Sequence, residues 1–176
     1  VTGQITVIGA GERGRRLAKR AAEAGLNVVL EDVFPANRRA AEAELAGSGV
    51  ELASTMEEAV REAALVVDFV PDELESKLEI FCLLDRMAPP RTILCTPSEK
   101  MSITDLASCT YRADRCVAVR AVGAAKGLDV GEAKSVRVLR GPATSDATVA
   151  TVMEFWRRLG MDATVEMDAE APKLVR

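Results

Sequence analysis

Val7-Ile8-Gly9-Ala10-Gly11-Glu12-Arg13-Gly14 is the stretch on which the reading of this chain turns. It is a GxGxxG, a weak signal when it stands alone. Here β-branched residues precede it at 4–8 and a helical pattern follows it at 12–24, the strand–turn–helix setting that gives each glycine a physical role. Gly9 permits the tight turn, Gly11 lets a pyrophosphate approach the backbone, and Gly14 lets the helix pack closely on the sheet. The free N–H groups and the dipole of the helix N-terminus attract the anion. Gly9, Ala10, Gly11, Arg13 and Gly14 are therefore candidate contacts for a dinucleotide.

Working outward, short β-branched runs alternate with longer Ala/Leu/charged stretches. Strands are expected at 4–8, 27–31, 50–53, 65–70, 91–95 and 116–121. Helices are expected at 12–24, 36–46, 56–63, 72–87 and 102–108. Gly25 is placed to end the first helix, and Ser54 or Thr55 to cap the third, whose first turn carries Glu57 and Glu58. Residues 65–70 are apolar throughout, as a parallel strand buried on both faces should be. The alternation predicts an α/β fold of the Rossmann type, a doubly wound and mainly parallel sheet with helices on both faces. After residue 121 the pattern changes. Residues 123–132 hold three glycines without periodicity and read as a flexible loop. Added C-terminal elements follow: a strand at 134–139, a helix at 145–159 capped by Ser145, and a strand at 162–166. Pro172 and the residues after it would open a further element. Residues 1–176 thus read as one domain.

Asp32 ends the second strand, about 20 residues beyond the glycine loop. A carboxylate there can accept both ribose hydroxyls of an adenosine half, favouring NAD and repelling a 2′-phosphate. A plain turn aspartate is the bland alternative, and a one-residue change of register would turn Glu31 to the ribose instead. The first helix also carries Arg13, Arg15, Arg16, Lys19 and Arg20. Arg13 or Arg16 could lean over a diphosphate, whereas the remaining cations fit a solvated basic face.

Composition narrows the function. The 176 residues carry 23 Lys+Arg against 27 Asp+Glu, a net charge of -4, and 3% aromatics. Nucleic-acid binding asks for a basic surface and stacking rings, so none is expected. There is no histidine, which removes every mechanism with an imidazole base and every His-ligated metal site. Cys82, Cys95, Cys109 and Cys116 form no CxxC pair and read as small core residues of an intracellular chain. No apolar run approaches the roughly 20 residues of a membrane span, and the N-terminus shows no signal-peptide pattern. A cytoplasmic protein with no membrane partner is expected.

Several stretches taken together carry a resemblance. They are the glycine loop, Val28-Val29-Leu30-Glu31-Asp32, residues 70–77, residues 102–107, and residues 140–146 leading to Arg158-Leu159-Gly160. Over nearly its whole length the chain resembles the NAD-binding domain of the 3-hydroxyacyl-CoA dehydrogenase family. The resemblance implies that Asp72 and Lys77 approach the cofactor, although Asp72 also suits a helix N-terminus and Lys77 a solvent-facing position. It further implies hydride transfer between a hydroxyacyl or ketoacyl thioester and nicotinamide, with a histidine as general base, a glutamate that orients it, and a serine and an asparagine at the reacting oxygen.

None of these four is kept. The serine's place holds Glu99, the histidine's Arg120 and the glutamate's Arg137, and the asparagine-proline aligns to Gly123-Ala124. Arginine stays protonated and cannot serve as a base near neutral pH. Losing a general base alone typically removes about 10²–10⁴-fold in rate, so no catalytic residue is assigned and the family reaction is expected to be lost. The family's long helical hairpin between the second and third strands is reduced to residues 34–49. The helical domain that follows in the family is expected to be absent, which would leave apolar surface and favour a homo-oligomer. Three readings stay open: an NAD(H)-binding domain without the ancestral reaction; a dehydrogenase with rewired chemistry, with Glu99 or a buried Lys100 handling protons; and an assembly module with a vestigial pocket. Arg120 and Arg137 could clamp a carboxylate or phosphate, or simply pair with acids such as Glu132 or Glu166.

Overall fold

Strands that are apolar on both faces must be covered twice. In β1 (Gln4–Ile8), Ile5 and Val7 join one buried cluster and Ile8 a second. In β2 (Val28–Glu31), Val28 and Leu30 oppose Val29 in the same way, and in β4 (Ala63–Asp68), Leu65 and Val67 oppose Val66. Leu17 of α1 (Glu12–Glu23), Ala41 of α2 (Pro35–Glu44) and Trp156 of α6 (Asp146–Arg158) fill the first cluster. Ala59 of α3 (Met56–Val60), Phe81 of α4 (Leu74–Met87) and Leu106 of α5 (Ile103–Ala107) fill the second. The sheet lies between these two cores, as the doubly wound reading requires.

The computed structural model describes residues 2–123 and 129–174. The remaining strands are β3 (Val50–Leu52), β5 (Ile93–Pro97), β6 (Cys116–Val122), β7 (Ser135–Arg140) and β8 (Asp162–Met167). Among the described residues they form one sheet in the order β3-β2-β1-β4-β5-β6-β7-β8. The first six run parallel, β7 is antiparallel to β6, and β8 is parallel to β7. The order 3-2-1-4-5-6 is that of a Rossmann sheet, whose ligand crevice opens at the carboxyl ends where the chain order reverses, between β1 and β4. Register brings those ends level: Ile8 lies opposite both Glu31 and Asp68.

Local signals stop the helices where the sequence suggests. Gly25, at φ +75°, closes α1 while its N–H and that of Leu26 bond to Ala22 O and Ala21 O, a left-handed C-terminal cap that a side chain would strain. Thr55, not Ser54, caps α3 by accepting from Glu58 N, and the Glu58 carboxylate accepts from Ser54 N. Ser145 caps α6 by accepting from Thr148 N.

Several boundaries depart from expectation. The third helix stops at Val60, and β4 starts at Ala63 and ends at Asp68 rather than spanning 65–70. Ala63 is already paired with Gln4, and the apolar Phe69 and Val70 line cavities instead of extending the ladder. β5 lies two residues later than expected because its ladder runs on to Pro97, opposite Val119. The expected flexible loop at 123–132 lies partly outside the described residues, at 124–128. From Asp129 onward it is instead a buried turn: Asp129 accepts from Gly131, Glu132 and Ala133 N–H, and Arg16 and Arg20 of α1 hold it. Residues after Pro172 form no regular element among those described, and Lys173 N and Leu174 N donate to the Asp105 carboxylate.

Candidate functional site

Two cavities meet at the carboxyl edge of the sheet, and Phe69, Val70 and Pro71 line both. The first, about 460 Å³, is bounded by Gly9, Gly11, Glu31, Asp32, Phe34 and Asn37, with Met56, Ile80 and Leu83 as apolar walls. The second, about 330 Å³, is bounded by Arg13, Asp72, Ser98, Glu99, Lys100 and Arg120. A divided cleft of this kind suits a ligand with two unlike ends joined by a linker.

The three glycines differ in what surrounds them. Gly9 has φ +99°, and a side chain there would also press on Phe69 at 3.2 Å. At Gly14 an added Cβ would lie 1.8 Å from Gly9 O, so α1 could not sit this close to the loop with any other residue. Gly11 has an ordinary φ of -61°, and an added Cβ would meet nothing within 4 Å. Neither backbone conformation nor a neighbour in the chain requires glycine at Gly11. The space it leaves lies at the N-terminus of α1, which has no side-chain cap, so unpaired N–H groups face room for an anion. This is the fit expected of a dinucleotide's diphosphate.

Asp32, 6% exposed, is already well occupied. Its Oδ2 accepts from Ala10 N at 2.6 Å and Asn37 Nδ2 at 2.8 Å, and its Oδ1 accepts from Phe34 N at 2.7 Å. A carboxylate offers about four acceptor positions, so one remains, not the two that bidentate ribose binding needs, unless Asn37 yields. Ala10 thereby holds Asp32 through its N–H and lines neither cavity. Glu31 does line the first cavity. It is 4% exposed, and no donor reaches its Oε2. Burial, and then the neighbouring Asp32, push the Glu31 carboxyl above the usual carboxylate range, with Arg38 opposing.

Of the two residues implied by resemblance, Asp72 lines the second cavity and accepts from Glu99 N at 3.1 Å, while its Oδ1 is buried without a partner. Lys77 lines neither cavity, nor is it solvent-facing. Its ammonium and Asp68 are each 1% exposed and 2.6 Å apart, and it also donates to Thr96 Oγ1 at 2.8 Å. It ties α4 to β4 and β5 beneath the cleft. The basic helix divides as well. Arg15 pairs with Glu44 and donates to Ala10 O, Arg16 pairs with Glu12, Asp129 and Glu132, and Arg20 donates to Leu159, Gly131 and Ala133 carbonyls. They are clamps rather than a solvated face. Arg13 forms no ion pair among the described residues and reaches the second cavity.

The arginines at the β6–β7 side of the second cavity are paired within the chain. Arg120 donates to Ser98 O at 3.0 Å and pairs with Glu170 at 3.3 Å, and Arg137, opposite it across the ladder, pairs with Glu166 at 3.6 Å. Glu99 and Lys100 are exposed, so the burial that a proton-handling Lys100 needs is not provided. Gly123 is described and Ala124 is not. Cys95 and Cys116 are buried, and burial pushes the Cys109 and Cys116 thiols up to about 12. Among the described residues no cluster of metal ligands occurs, and no helix is long and apolar enough to cross a membrane. The sequence reading missed Asn37, which fixes Asp32, and the cavity walls Met56, Phe69, Ile80 and Leu83.

The family model for the 3-hydroxyacyl-CoA dehydrogenase NAD binding domain matches residues 4–169. A probable 3-hydroxybutyryl-CoA dehydrogenase of Bacillus subtilis (strain 168) is 31% identical over 91% of this chain and 61% of its own length. Hydroxyacyl-coenzyme A dehydrogenase, mitochondrial, of Sus scrofa is 29% identical over 89% of this chain and 56% of its own. The chain therefore spans about three fifths of the curated relatives it matches. Among solved structures, a diketoreductase superposes with a TM-score of 0.83 at 26% identity, covering 99% of this chain and 68% of the other. A 3-hydroxyacyl-CoA dehydrogenase of Archaeoglobus fulgidus gives 0.82 at 27%, covering 96% and 57%. With the fold, the open space at Gly11 and these likenesses in agreement, the chain belongs to the 3-hydroxyacyl-CoA dehydrogenase family, as an NAD-binding domain of that family.

Proposed function

We propose that this chain binds NAD(H) at the divided cleft and does not carry out the family's oxidation of 3-hydroxyacyl-CoA. In this reading the N–H groups at the start of α1, beside Gly11, hold the diphosphate. Asp32 takes one ribose hydroxyl, and Arg13 and Asp72 border the nicotinamide end. Bound NAD would supply the hydride chemistry. What the chain's own residues supply is binding and orientation.

The observation that carries the reading is the contrast between Gly11, where none of the described residues comes within 4 Å of an added Cβ, and Arg120, with a guanidinium already committed to Ser98 O and Glu170. A group that stays protonated and is paired cannot accept a substrate proton. The exposed position of Lys100 weighs against the rewired-dehydrogenase reading.

Titration calorimetry with NAD, NADH and NADP tests the first half. NAD and NADH are expected to bind and NADP more weakly, whereas no heat with any of them would leave only an assembly module. Following 3-hydroxybutyryl-CoA oxidation at 340 nm tests the second half. No turnover is expected, and robust turnover would refute the role given to Arg120.

A further inference from the structure

The wall of the first cavity holds a group that the cofactor's sugar and phosphates do not account for. Glu31 ends β2 beside Asp32, so whatever is attached to a ribose held by Asp32 lies close to it. Its Oε2 is buried and meets no donor, although most buried carboxyl oxygens in folded chains find one. Around it the cavity offers Met56, Ile80, Leu83 and Phe34, flat-sided apolar surface suited to an aromatic base. An apolar residue would serve such a pocket at no desolvation cost, so a carboxyl there is a group kept without a partner until a ligand brings one.

We propose that Glu31 reads the purine base of the dinucleotide, its buried carboxyl pairing with the 6-amino group of adenine and the ring nitrogen beside it. The inference rests on the dinucleotide reading of the cleft. At its Watson–Crick edge adenine presents the 6-amino donor beside the acceptor N1. A protonated carboxyl matches both, accepting from the amino group and donating its O–H to the ring nitrogen. A carboxylate could only accept, and it would turn a lone pair toward a lone pair. The surroundings favour the neutral form, because burial dominates and Asp32 adds to it. The charged groups near Glu31 are Asp32 on its own segment, Arg38 of α2, which donates to Ser54 O, and Glu79 of α4 on the same cavity wall. β1 and α3 present Ile8 and Met56.

The test is calorimetric binding of ADP-ribose, which has the base but no nicotinamide, between pH 6 and 9, to the unmodified chain and to Glu31→Gln and Glu31→Val. Affinity of the unmodified chain is expected to fall as pH rises, because deprotonation removes the O–H donor and adds a second anion beside Asp32. Glu31→Gln keeps a donor and an acceptor and should bind without that slope. Glu31→Val should bind about tenfold more weakly, the size of one or two lost hydrogen bonds. The 1,N6-etheno analogue, in which an added ring ties up both nitrogens, should lose about tenfold against the unmodified chain and against Glu31→Gln, and little against Glu31→Val. Equal affinity of Glu31→Val and the unmodified chain, or the same pH slope in Glu31→Gln, overturns the inference and leaves the cleft a dinucleotide site. No binding of ADP-ribose or NAD to the unmodified chain overturns both.

Discussion

The two cavities share a wall and little else. In the first, space beside Gly11 and an oxygen of Glu31 are left unused by the chain. In the second, Arg120 is held by Ser98 O and Glu170, whereas Asp72 accepts from Glu99 N through one oxygen and leaves the other, like Glu31 Oε2, without a partner among the described residues. A site built to meet a ligand carries unsatisfied groups and tolerates their cost. A site whose charges answer one another has less to offer a substrate. In the proposed reading the unpartnered groups of both cavities serve the cofactor, and the paired Arg120 marks where the ancestral chemistry is lost.

The largest effect should come from beneath the shared wall. Lys77→Ala leaves Asp68 buried without its cation, and breaking such a pair typically costs about 3–5 kcal/mol. Urea denaturation should show a loss of that size, with both cavities disturbed. A loss below about 1 kcal/mol would mean that Lys77 is free to serve the cofactor, as the family resemblance implies, and is not committed to holding β4, β5 and α4 together.

The glycines separate folding from binding. Gly14→Ala drives a methyl group into Gly9 O and should destabilise by about 1–3 kcal/mol while abolishing NAD binding. Gly11→Ala meets nothing within 4 Å. It should leave the melting temperature unchanged or slightly raised and still weaken NAD at least tenfold, because the methyl group occupies the room meant for the diphosphate. If Gly11→Ala binds NAD normally, the cradle is not where the loop suggests.

What the sequence could reveal follows the range of the interaction. Gly9 and Gly25 set their own backbone angle and Gly14 meets Gly9 O five residues back, so the spacing of the glycines alone marks the turn, the helix start and the helix end. The apolar run through Phe69 and Val70 misplaced a strand end, because walling a cavity and filling a core both call for apolar residues. Lys77 reads as a cofactor contact or a solvent-facing lysine, and neither reading foresees its burial, which depends on Asp68 and Thr96 brought to it from two strands. The arginines of α1 looked like a basic face because the turn they clamp begins at Asp129, far along the chain. The missing partner of Glu31 is a property of the folded cavity, and no local pattern encodes it.

Glu31 also gives the first cavity a stability signature of its own. Its carboxyl is raised on folding, so below its unfolded value, near 4.5, both states hold the proton and the group contributes no pH dependence. Above that, the unfolded chain releases the proton first, and stability falls as pH rises toward the folded value. Glu31→Gln removes this slope, and the variant should be the more stable of the two at neutral pH in urea denaturation. Parallel profiles from pH 4.5 to 7 would show that the carboxyl is already satisfied without a ligand.

The smallest effect belongs to the second cavity. Arg120 and Glu170 are 20% and 40% exposed and 3.3 Å apart, a geometry in which solvent screens most of the attraction. A double-mutant cycle with Arg120→Gln and Glu170→Gln should return a coupling below about 1 kcal/mol. A larger coupling would make the pair a structural brace, and the placement of arginine at the end of β6 would then be explained by stability rather than by the loss of proton chemistry. A coupling near zero would leave the guanidinium free to exchange Glu170 for an incoming carboxylate, and would bring the two cavities closer in kind than their present hydrogen bonds make them.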